Sequence, residues 1–183
     1  SFTNLTYISG NDSHWDICDG TYYTTLQIGG DITIQGHGSV VFSGEDVAPL
    51  ITIYSNSSTG AIDVDIQNLD LMYGYNDFYL DSDGTDLRYT AGGISCIADG
   101  SYPINLLVSD SWIHSNTGGM GGGIYASSEC GLTVDNTSMY FNNAEDGGAI
   151  YARSNVVLDN ALISNNVALN AGGGIYSRSN AYY

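Results

Sequence analysis

The sequence predicts an all-β protein, a parallel β-helix of about six to seven coils. The peptide Gly-Gly-Gly-Ile-Tyr at residues 121–125 returns as Gly-Gly-Ala-Ile-Tyr at 147–151 and as Gly-Gly-Gly-Ile-Tyr at 172–176. A fixed period of this length is typical of stacked repeats, in which each unit buries its apolar face against its neighbours. A second pattern repeats every 24 to 26 residues, in the columns Val108, Val134, Leu158 and Asn116, Asn142, Asn166.

The repeating unit is built from strands. Apolar residues alternate with polar ones, as in Leu132 and Val134 or Val156 and Leu158, and this period of two indicates β-structure. No segment sustains the apolar spacing of a helix, and many Gly, Asn, Ser and Asp residues between the runs are turn formers. A coil of about 25 residues, with three short strands and three turns, is typical of the parallel β-helix.

Stacked coils place equivalent side chains over one another, because neighbouring strands lie about 4.8 Å apart. The glycine pairs then mark corners, and the Asn column lies at a bend, where the amide can bond the next coil's backbone and tolerate left-handed dihedrals. We interpret these positions as determinants of the fold. The predicted inward columns are Ile94, Ile124, Ile150, Ile175 and Ile34, Ile66, Val108, Val134, Leu158.

The repeats resemble a known family. Gly-Gly-Ala-Ile at residues 147–150 is similar to the Gly-Gly-Ala-(Ile/Leu/Val) motif of the polymorphic outer-membrane proteins, a chlamydial autotransporter group. Their companion Phe-x-x-Asn motif has altered counterparts at 113–116, 139–142 and 163–166. Those proteins are similar to secreted and surface proteins with the pectin-lyase-like β-helix. The resemblance therefore implies a right-handed β-helix and an adhesin role.

The chain reads as one domain over residues 1–183. Residues 1–30 look like the capping coil of pectin-lyase-like proteins, and residues 108–183 hold the regular repeats. Between them, the 42 residues from Ile66 to Val108 break the period, and we assign the excess to a protruding loop at 75–89. After residue 176 the chain starts a further rung, so we expect a larger parent protein or an assembly.

Composition restricts the partners. The chain has twenty acidic residues but only three arginines and no lysine, which gives a formal net charge of −17. Such a surface repels nucleic acid and anionic membranes. No apolar run reaches the 18 or so residues needed to span a bilayer, so we expect no membrane insertion by this segment.

One cluster has the pattern of a metal site. Asp81, Asp83 and Asp86 alternate around Gly84 in the predicted loop, and carboxylates spaced in this way can wrap calcium. A full EF-hand loop needs a glutamate six residues after the glycine, where Thr90 stands. Asp-Gly is also ordinary turn chemistry. A structural calcium fits this loop, but the fold requires no cofactor.

The remaining candidates are covalent modifications. Cys96 and Cys130 lie on adjacent coils, so a disulfide between them is compatible with an oxidising compartment, and Cys18 is left over. We expect an extracellular or cell-surface location, where such a bond persists. The candidate N-glycosylation sites in predicted loops are Asn4, Asn11 and Asn56.

Three tyrosines repeat beside the isoleucine column. If the isoleucines point inward, Tyr125, Tyr151 and Tyr176 point outward and stack. Such a row either stabilises the wall through cross-strand contacts or forms a binding face for sugars or proteins. The sequence leaves both interpretations open.

Two functions are compatible with this chain. Gly-His-Gly around His37 resembles part of the active-site signature of polygalacturonase-type glycosidases, but their other motifs are missing and the chain has no lysine. We therefore expect no enzyme activity but a structural or adhesive protein that binds copies of itself, other surface or fibre proteins, or glycans. The alternative is a polysaccharide lyase or glycoside hydrolase on the same fold.

Overall fold

A computed structural model describes residues 3–8, 13–76 and 90–178. Within these ranges the chain forms twenty β-strands, numbered in chain order, and no α-helix. No helix in the described part of the chain has the length and apolar character needed to cross a membrane. The strands pair in parallel and form three sheets, named A, B and C.

Sheets A and B each contain strands from all along the chain, and sheet C contains strands from the C-terminal half. Sheet A contains β1 (Thr3–Ile8), β3 (Thr24–Ile28), β5 (Ile51–Ser55), β8 (Ile94–Ala98), β12 (Ile124–Ala126), β16 (Ile150–Ala152) and β20 (Ile175–Ser177). Sheet B contains β2 (Ser13–Tyr22), β4 (Ile32–Ser43), β6 (Ile62–Gln67), β7 (Asp70–Met72), β9 (Ile104–Ser109), β10 (Trp112–His114), β13 (Cys130–Asp135), β14 (Ser138–Tyr140), β17 (Val156–Asp159) and β18 (Leu162–Ser164). Sheet C contains β11 (Thr117–Met120), β15 (Asn143–Asp146) and β19 (Val167–Ala171).

Sheet B is curled, because strand β4 is long and pairs with two different strands. Its first half pairs with β6, where Ile34 lies opposite Ile66, and its second half pairs with β7, where Phe42 lies opposite Leu71. The sheet therefore has two wings. The first wing holds β6, β9, β13, β17 and the first halves of β2 and β4, and the second wing holds β7, β10, β14, β18 and the second halves.

One left-handed residue per repeat marks the bend between the wings. Asn68, Asp110, Asn136 and Asn160 have φ values of 53°, 50°, 43° and 48°. Asn and Asp enter this region more readily than other non-glycine residues. The two wings therefore follow one another with a very short connection, since only two residues separate β13 from β14.

Equivalent side chains lie over one another in the core, and both predicted columns are confirmed. The sheet A column is Leu26, Ile51, Ile94, Ile124, Ile150 and Ile175. The sheet B column is Ile34, Ile66, Val108, Val134 and Leu158. All are buried except the last member of each column, and each fully buried side chain stabilises the fold by roughly 1.5–3 kcal/mol. The chain is thus all-β with parallel strands in curled sheets, which is compatible with a parallel β-helix.

The predicted Asn column links successive repeats between the second wing and sheet C. The side-chain amides of Asn116, Asn142 and Asn166 donate to the carbonyls of Leu71, Ile113 and Met139, as predicted. The left-handed conformation, expected at these asparagines, belongs instead to the preceding residues. Those residues are Ser115, Phe141 and Asn165, with φ between 53° and 56°, and Tyr73 (φ 55°) precedes Gly74 at the equivalent position of an earlier repeat.

The glycine motifs form the corner between sheets C and A. Gly121, Gly147 and Gly172 have φ values of 68°, 65° and 65°, and a Cβ atom at Gly147 would lie 2.2 Å from the carbonyl oxygen of Ile150. A side chain at this position would be strained by the positive φ and would clash with the carbonyl oxygen. This is why the first glycine recurs in each motif.

Candidate functional site

A groove of about 760 Å³ runs along the outer surface of the first wing. Outward side chains line it, because inward and outward residues alternate along each strand. Six strands contribute (β2, β4, β6, β9, β13 and β17), so the groove is roughly 24 Å long at about 4.8 Å per strand. Its polar lining includes His14, Thr33, Asp63, Asp65, Asn105 and Thr133.

The groove is acidic, and hydrogen bonds hold one oxygen of each of its three carboxylates. Asn105 Nδ2 donates to Asp63 Oδ1 (2.7 Å), and the Asp63 N–H donates to Asp31 Oδ1 (2.9 Å). Gln67 Nε2 donates to Asp65 Oδ2 (2.5 Å), whereas Asp65 Oδ1 is buried without a hydrogen-bond partner among the described residues. No Lys or Arg occurs in the described lining. The groove therefore presents negative charge and hydrogen-bond acceptors.

Sequence reasoning did not single out these groove residues, although the signal was present. In residues 62–66 apolar and acidic residues alternate strictly, which places Asp63 and Asp65 on the outer face. This pattern does not give the register in which neighbouring strands pair. Asp65 lies between Thr33 and Leu107 only once β4, β6 and β9 are aligned.

The three tyrosines predicted as a binding face form a stack on sheet A. Ring centroids lie 5.8 Å apart for Tyr125 and Tyr151 and 5.2 Å apart for Tyr151 and Tyr176. Tyr151 is only 2% exposed, while the two outer rings are partly exposed. Burial raises the pKa of Tyr125, and a hydrogen bond and charge from Arg153 partly offset the rise. Since the middle ring is covered, this geometry favours wall stabilisation over a continuous aromatic contact surface.

The structure brings Cys96 and Cys130 together in a disulfide bond, with their Cα atoms 6.2 Å apart. The bond joins β8 of sheet A to the start of β13 in sheet B, and both cysteines are buried. Cys18 is an exposed free cysteine on β2. The bridge therefore links two sheets across one edge of the core.

The other predicted sites are only partly described. Asp81, Asp83, Asp86 and Asn11 lie outside the described residues, and Asn4 lies on β1. Asn56 follows β5, where its side-chain oxygen accepts a hydrogen bond from the Ser58 N–H (2.8 Å) and holds the turn. Among residues 13–76 and 90–178, no three His, Cys, Asp or Glu side chains group closely enough to hold a metal ion.

His37, the histidine of the Gly-His-Gly peptide, lies within strand β4 and is exposed. Its Nε2 lies 2.5 Å from Asp16 Oδ1, and His14 Nε2 lies 3.3 Å from the same oxygen. The hydrogen bond from His37 is the main cause that lowers the pKa of Asp16. All three side chains are solvent-exposed, so their mutual contacts have a small energetic effect.

A chain of aromatic contacts lies on the outer face of the second wing. His114 Nε2 lies 2.9 Å from Asp70 Oδ1, which suits an ion pair when the imidazole is protonated. The His114 ring stacks on Tyr140, with centroids 4.7 Å apart and planes at 7°. Tyr140 in turn meets Phe141 edge to face at 5.5 Å and 82°. Burial, and next the charge of Asp70, raise the pKa of Tyr140.

This cluster also contains a serine, a histidine and an aspartate in the sequence of contacts that serine hydrolases use for proton transfer. His114 Nδ1 lies 3.1 Å from Ser115 Oγ, while its Nε2 faces Asp70. A hydrolase also needs hydrogen-bond donors aimed at an oxyanion. However, the Ser115 N–H donates to a carbonyl of β14, and the Asn116 N–H donates to Asn142 Oδ1 (3.1 Å). Since these nearest backbone donors are occupied, the arrangement does not favour acyl transfer.

No family model, curated protein or solved structure matches the chain. Its class therefore rests on its own geometry. The described residues define an all-β repeat protein with parallel strands in curled sheets, an acidic groove on one wing and an aromatic cluster on the other.

Proposed function

We propose that the chain is one right-handed parallel β-helix of about six to seven coils. The order of strands supports this. From β12 the chain passes through the first wing (β13), the second wing (β14) and sheet C (β15), and it returns to sheet A as β16, beside β12. Parallel crossovers are almost always right-handed, which supports the handedness that the family resemblance implies.

This β-helix serves as a non-catalytic structural or adhesive module outside the cell or on its surface. The observation that carries the proposal is the vertical register of the repeats, in which Ile, Asn and Gly columns serve the fold. The disulfide between Cys96 and Cys130 supports an oxidising location.

The groove on the first wing is the adhesive surface. Its length of roughly 24 Å suits an extended partner rather than a compact metabolite. Since its described lining holds Asp31, Asp63 and Asp65 without a lysine or arginine, it repels anionic partners, including a second copy of this acidic chain. A neutral glycan chain, whose hydroxyl groups donate to carboxylates, is the partner that fits these acceptors.

A pull-down on insoluble glycans tests this function. The protein is expected to co-sediment with at least one of cellulose, chitin and mannan and to release no soluble sugar. The double variant Asp63→Ala, Asp65→Ala loses the acceptors, so its binding should weaken about tenfold. Asp159→Ala removes an exposed carboxylate outside the groove and should bind normally. Equal binding by all three proteins, or by none, contradicts the proposal.

A glycoside hydrolase is the second candidate, because two carboxylates face the same groove. Asp63 and Asp65 lie two residues apart on β6, so their Cα atoms are separated by about 6.6 Å. Both side chains leave the same face of the strand, and their rotamers can bring the two carboxyl groups to the separation of roughly 6.5–9.5 Å that inverting hydrolases use. Release of soluble sugars from pectin, alginate or xylan, abolished by Asp65→Asn, would establish this alternative.

A further inference from the structure

A second cleft lies at the corner between the second wing and sheet C. It has a volume of about 330 Å³ and shares no lining residue with the groove. Its lining is Phe141, Asn142, Asn143, Asn165 and Val167. None of these side chains is ionisable, so the cleft suits a neutral ligand.

Phe141 occupies this corner at an energetic disadvantage. Its φ is 55°, a left-handed conformation that is strained for a bulky residue. The equivalent position in neighbouring repeats is Ser115 and Asn165, and Asn adopts this conformation more easily. The ring is also 61% exposed, so burial in the core does not account for it.

The ring of Phe141 is nevertheless held in place. Tyr140 contacts it edge to face, His114 stacks on Tyr140, and Asp70 lies beside His114. An exposed ring that is braced by this row of neighbours loses little freedom when a ligand stacks on it. The cleft therefore has one preorganised aromatic wall.

The polar groups of the cleft are the side-chain amides of three asparagines. Asn142 is fully engaged in the Asn column, where it bonds Ile113 and Asn166. The side-chain amides of Asn143 and Asn165 are exposed and make no hydrogen bond to another described residue. Each amide offers both a donor and an acceptor. Two adaptable amides beside an aromatic ring match a ligand with an apolar face and a rim of hydroxyl groups.

We propose that this corner cleft binds a neutral pyranose unit of a glycan. The CH face of the sugar lies on Phe141, and its hydroxyl groups bond Asn143 and Asn165. The cleft volume accommodates one sugar ring, and the amphipathic lining recognises sugars rather than purely apolar molecules. The proposal extends the adhesive function to a second site, and its residues are independent of the groove.

Saturation-transfer NMR and calorimetry with four soluble sugars test this site: cellotetraose, mannotetraose, galactotetraose and xylotetraose. At least one is expected to bind. Phe141→Asn removes the ring but suits the left-handed backbone, so it should weaken binding about tenfold without lowering the thermal midpoint. Phe141→Tyr keeps the ring and should retain binding.

Two control variants distinguish the corner cleft from the rest of the surface. Trp112→Thr removes an exposed aromatic ring on β10 that lies outside the cleft and should leave affinity unchanged. The groove variant Asp63→Ala, Asp65→Ala should also keep the corner affinity, so failure of the groove proposal is distinguishable from failure of this one. Absence of binding by all four sugars, or equal affinity in Phe141→Asn, would overturn the inference.

Discussion

Asn142→Ala is expected to destabilise the protein by roughly 4 kcal/mol or more, because several buried groups lose their partners together. Asn142 is 1% exposed. Its Oδ1 accepts from the N–H (3.1 Å) and Nδ2 (3.0 Å) of Asn116, and its Nδ2 donates to Ile113 O (2.9 Å) and Asn166 Oδ1 (3.0 Å). Alanine leaves all of these groups without the partner that Asn142 supplies.

Urea denaturation followed by circular dichroism measures this effect. The matched control is Asn143→Ala, which removes the neighbouring exposed amide and should change the unfolding free energy by less than about 0.5 kcal/mol. A loss below about 1 kcal/mol for Asn142→Ala would show that the column is not a cooperative network.

Loss of the Cys96–Cys130 disulfide is the second large effect. The bond closes a loop with a sequence separation of 34 residues, and the chain-entropy relation for a loop of this length gives roughly 4 kcal/mol of stabilisation. The double variant Cys96→Ala, Cys130→Ala should therefore unfold at a clearly lower denaturant concentration than the native protein.

Denaturation with and without a reducing agent tests the same bond without mutation. Reduction should lower the midpoint of the native protein and leave the double alanine variant unchanged. Cys18→Ser, at the exposed free cysteine, should respond to the reducing agent as the native protein does. Identical midpoints for oxidised and reduced native protein would contradict the predicted stabilisation.

The stacking of equivalent residues in successive repeats could be predicted from the repeat period. Ile124, Ile150 and Ile175 recur once per repeat, so any stacked arrangement brings them together, and the structure does so. His114 and Tyr140 are likewise 26 residues apart, and they stack. A period identifies which residues are neighbours between coils because parallel pairing conserves register.

The shape of each repeat could not be predicted in the same way. The period does not say where a strand bends, so the long strand β4 and the left-handed residue before each column asparagine were missed. It also does not say how neighbouring surfaces cover an outward side chain. Tyr151 was predicted to point outward but is buried by its neighbours, and the cleft beside Phe141 was not predicted.

The parallel register has a consequence for the size of the molecule. Val167 lies directly over Asn143 in sheet C, so excision of residues 143–166 would join Asn142 to a residue of the same structural position. Ile175 would then pair with Ile124, as Ile150 does now. The sheets can therefore be lengthened or shortened in steps of about 4.8 Å, which allows gene duplication or deletion to change the number of repeats without a new core.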